Sequence, residues 1–148
     1  MQHFQLFIDG AWTDGAGGQV MTSQNPATGA PWATFACAAP ADVDRAVAAA
    51  ARALDDPAWR DMTQTARGKL LYRLADLVAE HAQEIGRIET TDSGKLLAET
   101  SSQTGYVADY YRYFAGLADK IEGAVLPIDK PDMHAFTTRA PIGVVAAI

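Results

Sequence analysis

Apolar positions divide this chain into three regimes: short extended runs before Pro40, a helical period from Pro40 to about Ile121, and extended runs again to Ile148. Residues 4–12 carry the aromatic and β-branched side chains of a strand, Asp14-Gly15-Ala16-Gly17-Gly18 is a turn, and residues 19–23 form a second extended run. Together they predict a β-hairpin. Asn25-Pro26-Ala27-Thr28-Gly29 is a further turn, with proline presetting one dihedral and glycine reaching the unusual one, and it leads into a short strand over 32–37.

From Pro40 the spacing becomes helical. Val43, Ala46, Val47, Ala50 and Leu54 share a face, Asp42 and Asp44 lie in the first turn where the helix dipole favours them, and Asp55-Asp56-Pro57 closes the segment. A second helix starts from Thr63 as N-cap and buries Leu70, Leu71, Leu74, Leu77 and Val78. The third, over 83–91, buries Ile85 and Ile88 and stops at Ser93-Gly94. The fourth, over 97–121, sets Leu97, Ser101, Thr104, Val107 or Ala108, Tyr111, Phe114, Ala118 and Ile121 on one face. Tyr106, Tyr110 and Tyr113 occupy another side, at i, i+4 and i+7. A helix lined on two sides is either buried in a larger protein or borders a cavity, and core packing is the simpler reading of the tyrosines.

After Gly123, residues 124–128 are extended, Asp129-Lys130-Pro131-Asp132 turns, and residues 134–139 alternate like an antiparallel strand. The closing run, Ile142-Gly143-Val144-Val145-Ala146-Ala147-Ile148, has no polar position and reads as a strand buried on both faces, as in parallel sheets. A lone strand cannot satisfy its own backbone donors and acceptors. The expectation is therefore the front part of a larger α/β protein, reaching its main sheet at the end of the segment.

Composition narrows the classes. Of the 148 residues, 49% are hydrophobic and 20% charged, which suits a globular chain. Twelve Lys and Arg stand against eighteen Asp and Glu for a net charge of -6, with the basic residues scattered singly, so no stripe exists to neutralise nucleic-acid phosphates. The first residues lack the charged head and apolar centre of a signal peptide, and no apolar run is long enough to cross a bilayer. A cytoplasmic protein without a membrane or nucleic-acid partner is expected. The lone cysteine, Cys37, excludes an internal disulfide, and with small apolar neighbours and no local cation it reads as an inert thiol.

No catalytic set emerges from the residues alone. His3, His81 and His134 are far apart and none has a second ligand at metal spacing; His81 suits a helix C-terminus. Asp55-Asp56 is a solvated helix end. The glycines of 14–18 match neither Gly-x-Gly-x-x-Gly nor a P-loop, and the run from Glu89 to Leu96 fails the P-loop pattern at both of those ends.

An ordered series of short motifs goes further: Ile8-Asp9-Gly10-Ala11-Trp12, Asn25-Pro26-Ala27-Thr28-Gly29, Asp42-Val43-Asp44-Arg45-Ala46-Val47, Arg73-Leu74-Ala75-Asp76, Glu89-Thr90-Thr91-Asp92-Ser93-Gly94-Lys95, Tyr113-Phe114-Ala115-Gly116, Ala118-Asp119-Lys120-Ile121 and Arg139-Ala140-Pro141-Ile142-Gly143-Val144. Over essentially its whole length the chain resembles the N-terminal part of NAD(P)-dependent aldehyde dehydrogenases. The resemblance implies an incomplete α/β fold: residues 1–123 as the hairpin and helical layer of a Rossmann-like cofactor domain, 124–140 as a β extension toward an oligomerisation domain, and 141–148 as the first, truncated strand of the central sheet.

In that family a cysteine thiolate attacks the aldehyde, an asparagine helps hold the oxyanion, hydride passes to NAD or NADP, and a glutamate activates water to release the acid. None of the catalytic or cofactor-binding residues matches a position in this segment, and Cys37 does not match the nucleophile's motif. The segment alone is expected to be inactive, its parent to act on a small-molecule aldehyde as a homo-oligomer, dimer or tetramer. Two carry-overs remain. Asp92, with backbone carbonyls near Ser23 and Gln24, matches a monovalent cation site, against the alternative of an aspartate bonding to nearby backbone. Tyr106, with Ser102 and Gln103 one turn earlier, falls near the aldehyde entrance tunnel. The rival to an enzyme segment is a stand-alone, non-catalytic stub that acts by association with full-length relatives.

Overall fold

Local turn chemistry decides the β-structure at the start of the chain. The computed structural model describes residues 1–147. Three short strands open it, β1 (Gln2–Phe4), β2 (Leu6–Ile8) and β3 (Ala11–Thr13), followed by β4 (Val20–Gln24) and β5 (Pro31–Ala36). β2 and β3 form a tight antiparallel hairpin in which Asp9 and Gly10 both take positive φ, 55° and 77°. An Asp-Gly pair is the residue choice that such a turn requires. The expected pairing through the glycines of 14–18 is thus corrected: β4 pairs antiparallel with β5 through the Asn25–Gly29 turn, and β1 adds to β5 in parallel. The glycine turn is held differently, by the helix that follows.

That helix, α1 (Pro40–Asp55), is followed by a single turn, α2 (Pro57–Arg60), by α3 (Gln64–Glu80), α4 (Ala82–Ser93) and α5 (Leu97–Leu117), and by two short strands, β6 (Val125–Leu126) and β7 (Ala135–Phe136). Thr63 caps α3 by accepting from the Ala66 N–H at 3.2 Å, and Gly94 ends α4 in the left-handed conformation at φ 78°. α5 stops at Leu117, a turn short of the expected end near Ile121.

The helical core is built from small side chains. α5 packs along α3 and α4, and the fully or nearly buried positions are Gly68 and Ala75 on α3, Gly86 on α4, and Thr100, Thr104, Ala108 and Ala115 on α5. A Cβ on Gly86 would stand 2.8 Å from the Ser101 nitrogen, and one on Gly68 would stand 2.8 Å from the Ala115 carbonyl oxygen. The backbones therefore meet at distances only glycine permits. Thr100 satisfies its buried hydroxyl by donating to the Gly86 carbonyl at 2.9 Å and pairing with the Thr90 hydroxyl at 2.8 Å.

The large apolar residues lie outside that core. Val43 and Val47 on α1, Leu70, Leu74 and Leu77 on α3, and Tyr106, Tyr110, Tyr113 and Phe114 on α5 are all exposed. The buried stripes expected on these helices are corrected accordingly: their periodicity is right, but within residues 1–147 little covers them. β6 and β7 pair antiparallel as a two-stranded ribbon of their own, joined across 127–134. The strand expected over 141–148 is unpaired over the part the structure describes. Residues 141–147 pair with no strand among the described residues, and Ile142 is 92% exposed; Ile148 lies outside the described residues. Strand hydrogen bonds require neighbours, and among the described residues β6 and β7 pair only with each other.

Candidate functional site

The β4–β5 hairpin and the C-terminal turn of α4 come together at Ser23, Trp32 and Asp92. Ser23 sits near the end of β4 opposite Ala33, and Trp32 is on the adjoining strand. The Trp32 indole Nε1–H donates to Ser23 Oγ at 3.0 Å, and the Ser23 hydroxyl in turn makes a short hydrogen bond to Asp92 Oδ1. Sequence reasoning placed Asp92 and Ser23 in one site from resemblance; the structure joins their side chains directly across 69 residues of chain. Trp32 was not foreseen as a third member, because its spacing carries no motif.

Beside this cluster lies an open groove of about 320 Å³ lined by Phe4, Trp32, Phe35, Ile85, Ile88, Glu89 and Asp92. Phe4 and Trp32 meet edge to face at 6.0 Å between centroids. Glu89 is neutralised by Lys95, whose Nζ lies 2.6 Å from its carboxylate and is held above the usual lysine range by that hydrogen bond. Among the described residues, Asp92 pairs only with the serine hydroxyl. The Asp92 carboxylate and the Ser23 hydroxyl are oxygen groups of the kind a hard monovalent cation takes. Among the described residues no three His, Cys, Asp or Glu side chains gather as metal ligands.

The tyrosine stripe of α5 borders a second open groove. Tyr106, Asp109, Tyr110, Tyr113 and Phe114 line about 360 Å³, with Tyr113 edge-on to Phe114 at 5.3 Å. Within this chain each of these tyrosines is exposed. Tyr106 lines this groove, whereas Ser102 and Gln103 are not among the residues that do.

The remaining candidates have structural partners. Asp42 is fully buried and accepts from the Ala16 N–H at 2.8 Å and the Ala39 N–H at 2.9 Å, closing the glycine turn onto the start of α1. Those two backbone donors, the first more than the second, hold its carboxyl below the usual aspartate range, with Arg45 at 3.4 Å adding to the effect and burial opposing it. An acidic residue three places after the helix N-cap is the sequence signal that marks this role. The turn cannot cradle a phosphate, because the Asp42 carboxylate already occupies the Ala16 N–H and a Cβ at Gly15 would strike the Cys37 carbonyl. Cys37 is half-buried, with its own N–H donated to Gln19. His3 bridges Thr34 at 2.9 Å and Asp14 at 3.0 Å, and His81 pairs with Glu84 at 3.0 Å. Asp56 caps α2 through Ala58, as its reading as a helix-end carboxylate anticipates. No helix among the described residues is long and apolar enough to cross a membrane.

Comparison with known proteins bears on this geometry directly. A sequence model described as the aldehyde dehydrogenase family matches residues 12–148. The chain is 56% identical, over its whole length, to (Z)-2-((N-methylformamido)methylene)-5-hydroxybutyrolactone dehydrogenase of Acinetobacter baylyi, and spans 30% of that protein. It is 41% identical to the cytosolic 10-formyltetrahydrofolate dehydrogenase of Xenopus tropicalis over 95% of this chain and 16% of that one. Among solved structures, an aldehyde dehydrogenase from Brucella melitensis biovar abortus superposes with a TM-score of 0.84 at 30% identity, covering 89% of this chain and 27% of that one. A Staphylococcus aureus betaine aldehyde dehydrogenase in complex with NAD+ gives 0.82 at 33% identity over 88% of this chain and 26% of that one. The chain thus spans less than a third of each of these relatives, and its mixed helix and sheet match an incomplete fold of their kind.

Proposed function

We propose, from the premise that this chain belongs to the aldehyde dehydrogenase family, that it is the N-terminal portion of a longer NAD(P)-dependent enzyme that oxidises an aldehyde to a carboxylic acid through a cysteine thiohemiacetal. The observation that carries this reading is the family match over 12–148 together with the superposition on aldehyde dehydrogenases. Within that protein, residues 1–123 would supply the helical layer of the cofactor domain, 124–140 the β extension toward another subunit, and 141–148 the first strand of the central sheet. The run from Ile142 gains its neighbours only in that setting. A cytoplasmic homo-oligomer, dimer or tetramer, follows from the same reading.

The cofactor is NAD or NADP, which supplies the hydride acceptor when bound. The described residues do not fit a dinucleotide: their glycine-rich turn is closed by Asp42 and stands between strands β3 and β4, not at a strand-to-helix crossing. We assign cofactor binding and the oxidation itself to other parts of the longer protein. This segment contributes two surfaces. Asp92, Ser23 and Gln24 hold a monovalent cation that ties the β4–β5 hairpin to α4, and Tyr106 forms part of the wall by which the aldehyde enters, with Ser102 and Gln103 a turn away.

The purified 148-residue chain, incubated with an aldehyde panel and either NAD or NADP, is expected to reduce neither cofactor, while the longer gene product reduces one of them. Aldehyde-dependent NADH or NADPH from the segment alone would overturn the assignment. The exposed faces of α1, α3 and α5 also favour a second reading, a stub that associates with full-length relatives without catalysis. A coding sequence that reads through Ile148 supports the first, and a stop codon supports the second.

A further inference from the structure

The Ser23–Asp92 contact has a third participant whose chemistry is directional. Serine carries one hydroxyl proton and two lone pairs, and an indole N–H can only donate. Because Trp32 Nε1–H takes a lone pair of Ser23 Oγ at 3.0 Å, the serine proton is left to point at an acceptor, and Asp92 Oδ1 is the acceptor in place. The relay fixes one oxygen of Asp92 against β4. The other makes no hydrogen bond among the described residues. Phe4, in edge contact with the indole from β1, limits the ring's freedom to turn.

We propose that Trp32 is a positioning residue for the cation site: its N–H orients the Ser23 hydroxyl, which holds the Asp92 carboxylate in one rotamer with an oxygen free for the ion. This inference rests on the cation reading of Asp92 given above. Its physical content is preorganisation. A carboxylate at the end of a helix samples several rotamers, and one already restrained loses less freedom when it ligates. Outer partners of this kind are worth roughly tenfold or more in ion affinity.

The test titrates the chain with KCl at constant ionic strength, balanced by tetramethylammonium chloride, and follows the unfolding temperature. Four proteins are compared: the unsubstituted chain, Trp32→Phe, Ser23→Ala and Asp92→Asn. The unsubstituted chain is expected to be stabilised by potassium over tetramethylammonium, and Asp92→Asn to lose that difference. Trp32→Phe keeps the ring and removes only the donor, so the potassium midpoint should rise about tenfold, near the lower end of outer-partner effects. Ser23→Ala breaks the relay at its middle and should move the midpoint the same way, which keeps the test decisive should the tryptophan variant fold poorly. Unchanged midpoints in both relay variants, with Asp92→Asn still abolishing the response, would overturn the role of Trp32 and leave the cation reading standing. Identical behaviour of the unsubstituted chain in the two salts would overturn the cation reading and this inference with it.

Discussion

The α3–α4–α5 bundle and the stretch from 119 to 147 are both rich in apolar residues, yet only the first closes a core of its own, built from small side chains. In the bundle, glycine, alanine and threonine bring helix backbones into contact, and every buried hydroxyl of Thr100 and Thr104 finds a carbonyl. In the later stretch, Val125, Phe136, Ile142 and Val145 face solvent around a ribbon of two short strands. The difference teaches that hydrophobicity along a chain tells which surfaces must be covered, and not what covers them. Small residues at crossing points mark the contacts completed locally; the large side chains mark those reserved for something else.

That contrast can be broken most severely at the closest helix crossing. Gly86→Ala would drive a methyl group to within 2.9 Å of Ser101 Cα, against backbone that cannot rotate away. Overpacking of this kind costs about 1–3 kcal/mol, read as a lowered urea midpoint. Phe136→Ser, although it removes a far larger apolar side chain, should stay within about 0.5 kcal/mol because the ring is exposed. A reversal of that order would show that the ribbon, and not the bundle, carries the stability.

A smaller effect sharpens the comparison at the edge of the core, where α1 is clasped by Asp42. Its carboxyl is held below the usual aspartate range by the Ala16 and Ala39 N–H groups, so the folded value lies under the unfolded one. The stability it contributes is therefore fully present above the ordinary aspartate value and is lost as pH falls through the lowered one, on the acid side of about pH 4. Asp42→Asn should be less stable than the unsubstituted chain at neutral pH, and the gap should narrow as acid protonates the carboxylate. Urea midpoints measured across that range check the sign: a gap that widens on acidification contradicts the clasp.

These features differ in how far the sequence discloses them. Helix boundaries at Pro40, Thr63 and Gly94 were legible because capping and proline chemistry are local. The glycines of 14–18 carry a hairpin signal by composition, yet the strands pair across Asp9-Gly10 and across Asn25–Gly29, of which the sequence marks only the second as a turn. The core was misplaced for a different reason: counting Leu70, Leu74 and Leu77 as buried assumes a partner, and periodicity cannot say whether the partner lies within the segment. At the candidate cation site, Asp92 and Ser23 were legible through resemblance alone. Trp32 was not legible at all, since a hydrogen bond between neighbouring strands depends on register that one residue type does not encode.

Amide hydrogen exchange on the 148-residue chain, resolved by peptide, tests the central claim most directly. Peptides from α3, α4 and α5 should be protected to the level of global unfolding, while those covering 137–147 exchange at rates near those of an unfolded chain. Equal protection of the 137–147 peptides and the bundle would contradict the account, because it would mean that the closing apolar run has found its neighbours within this chain.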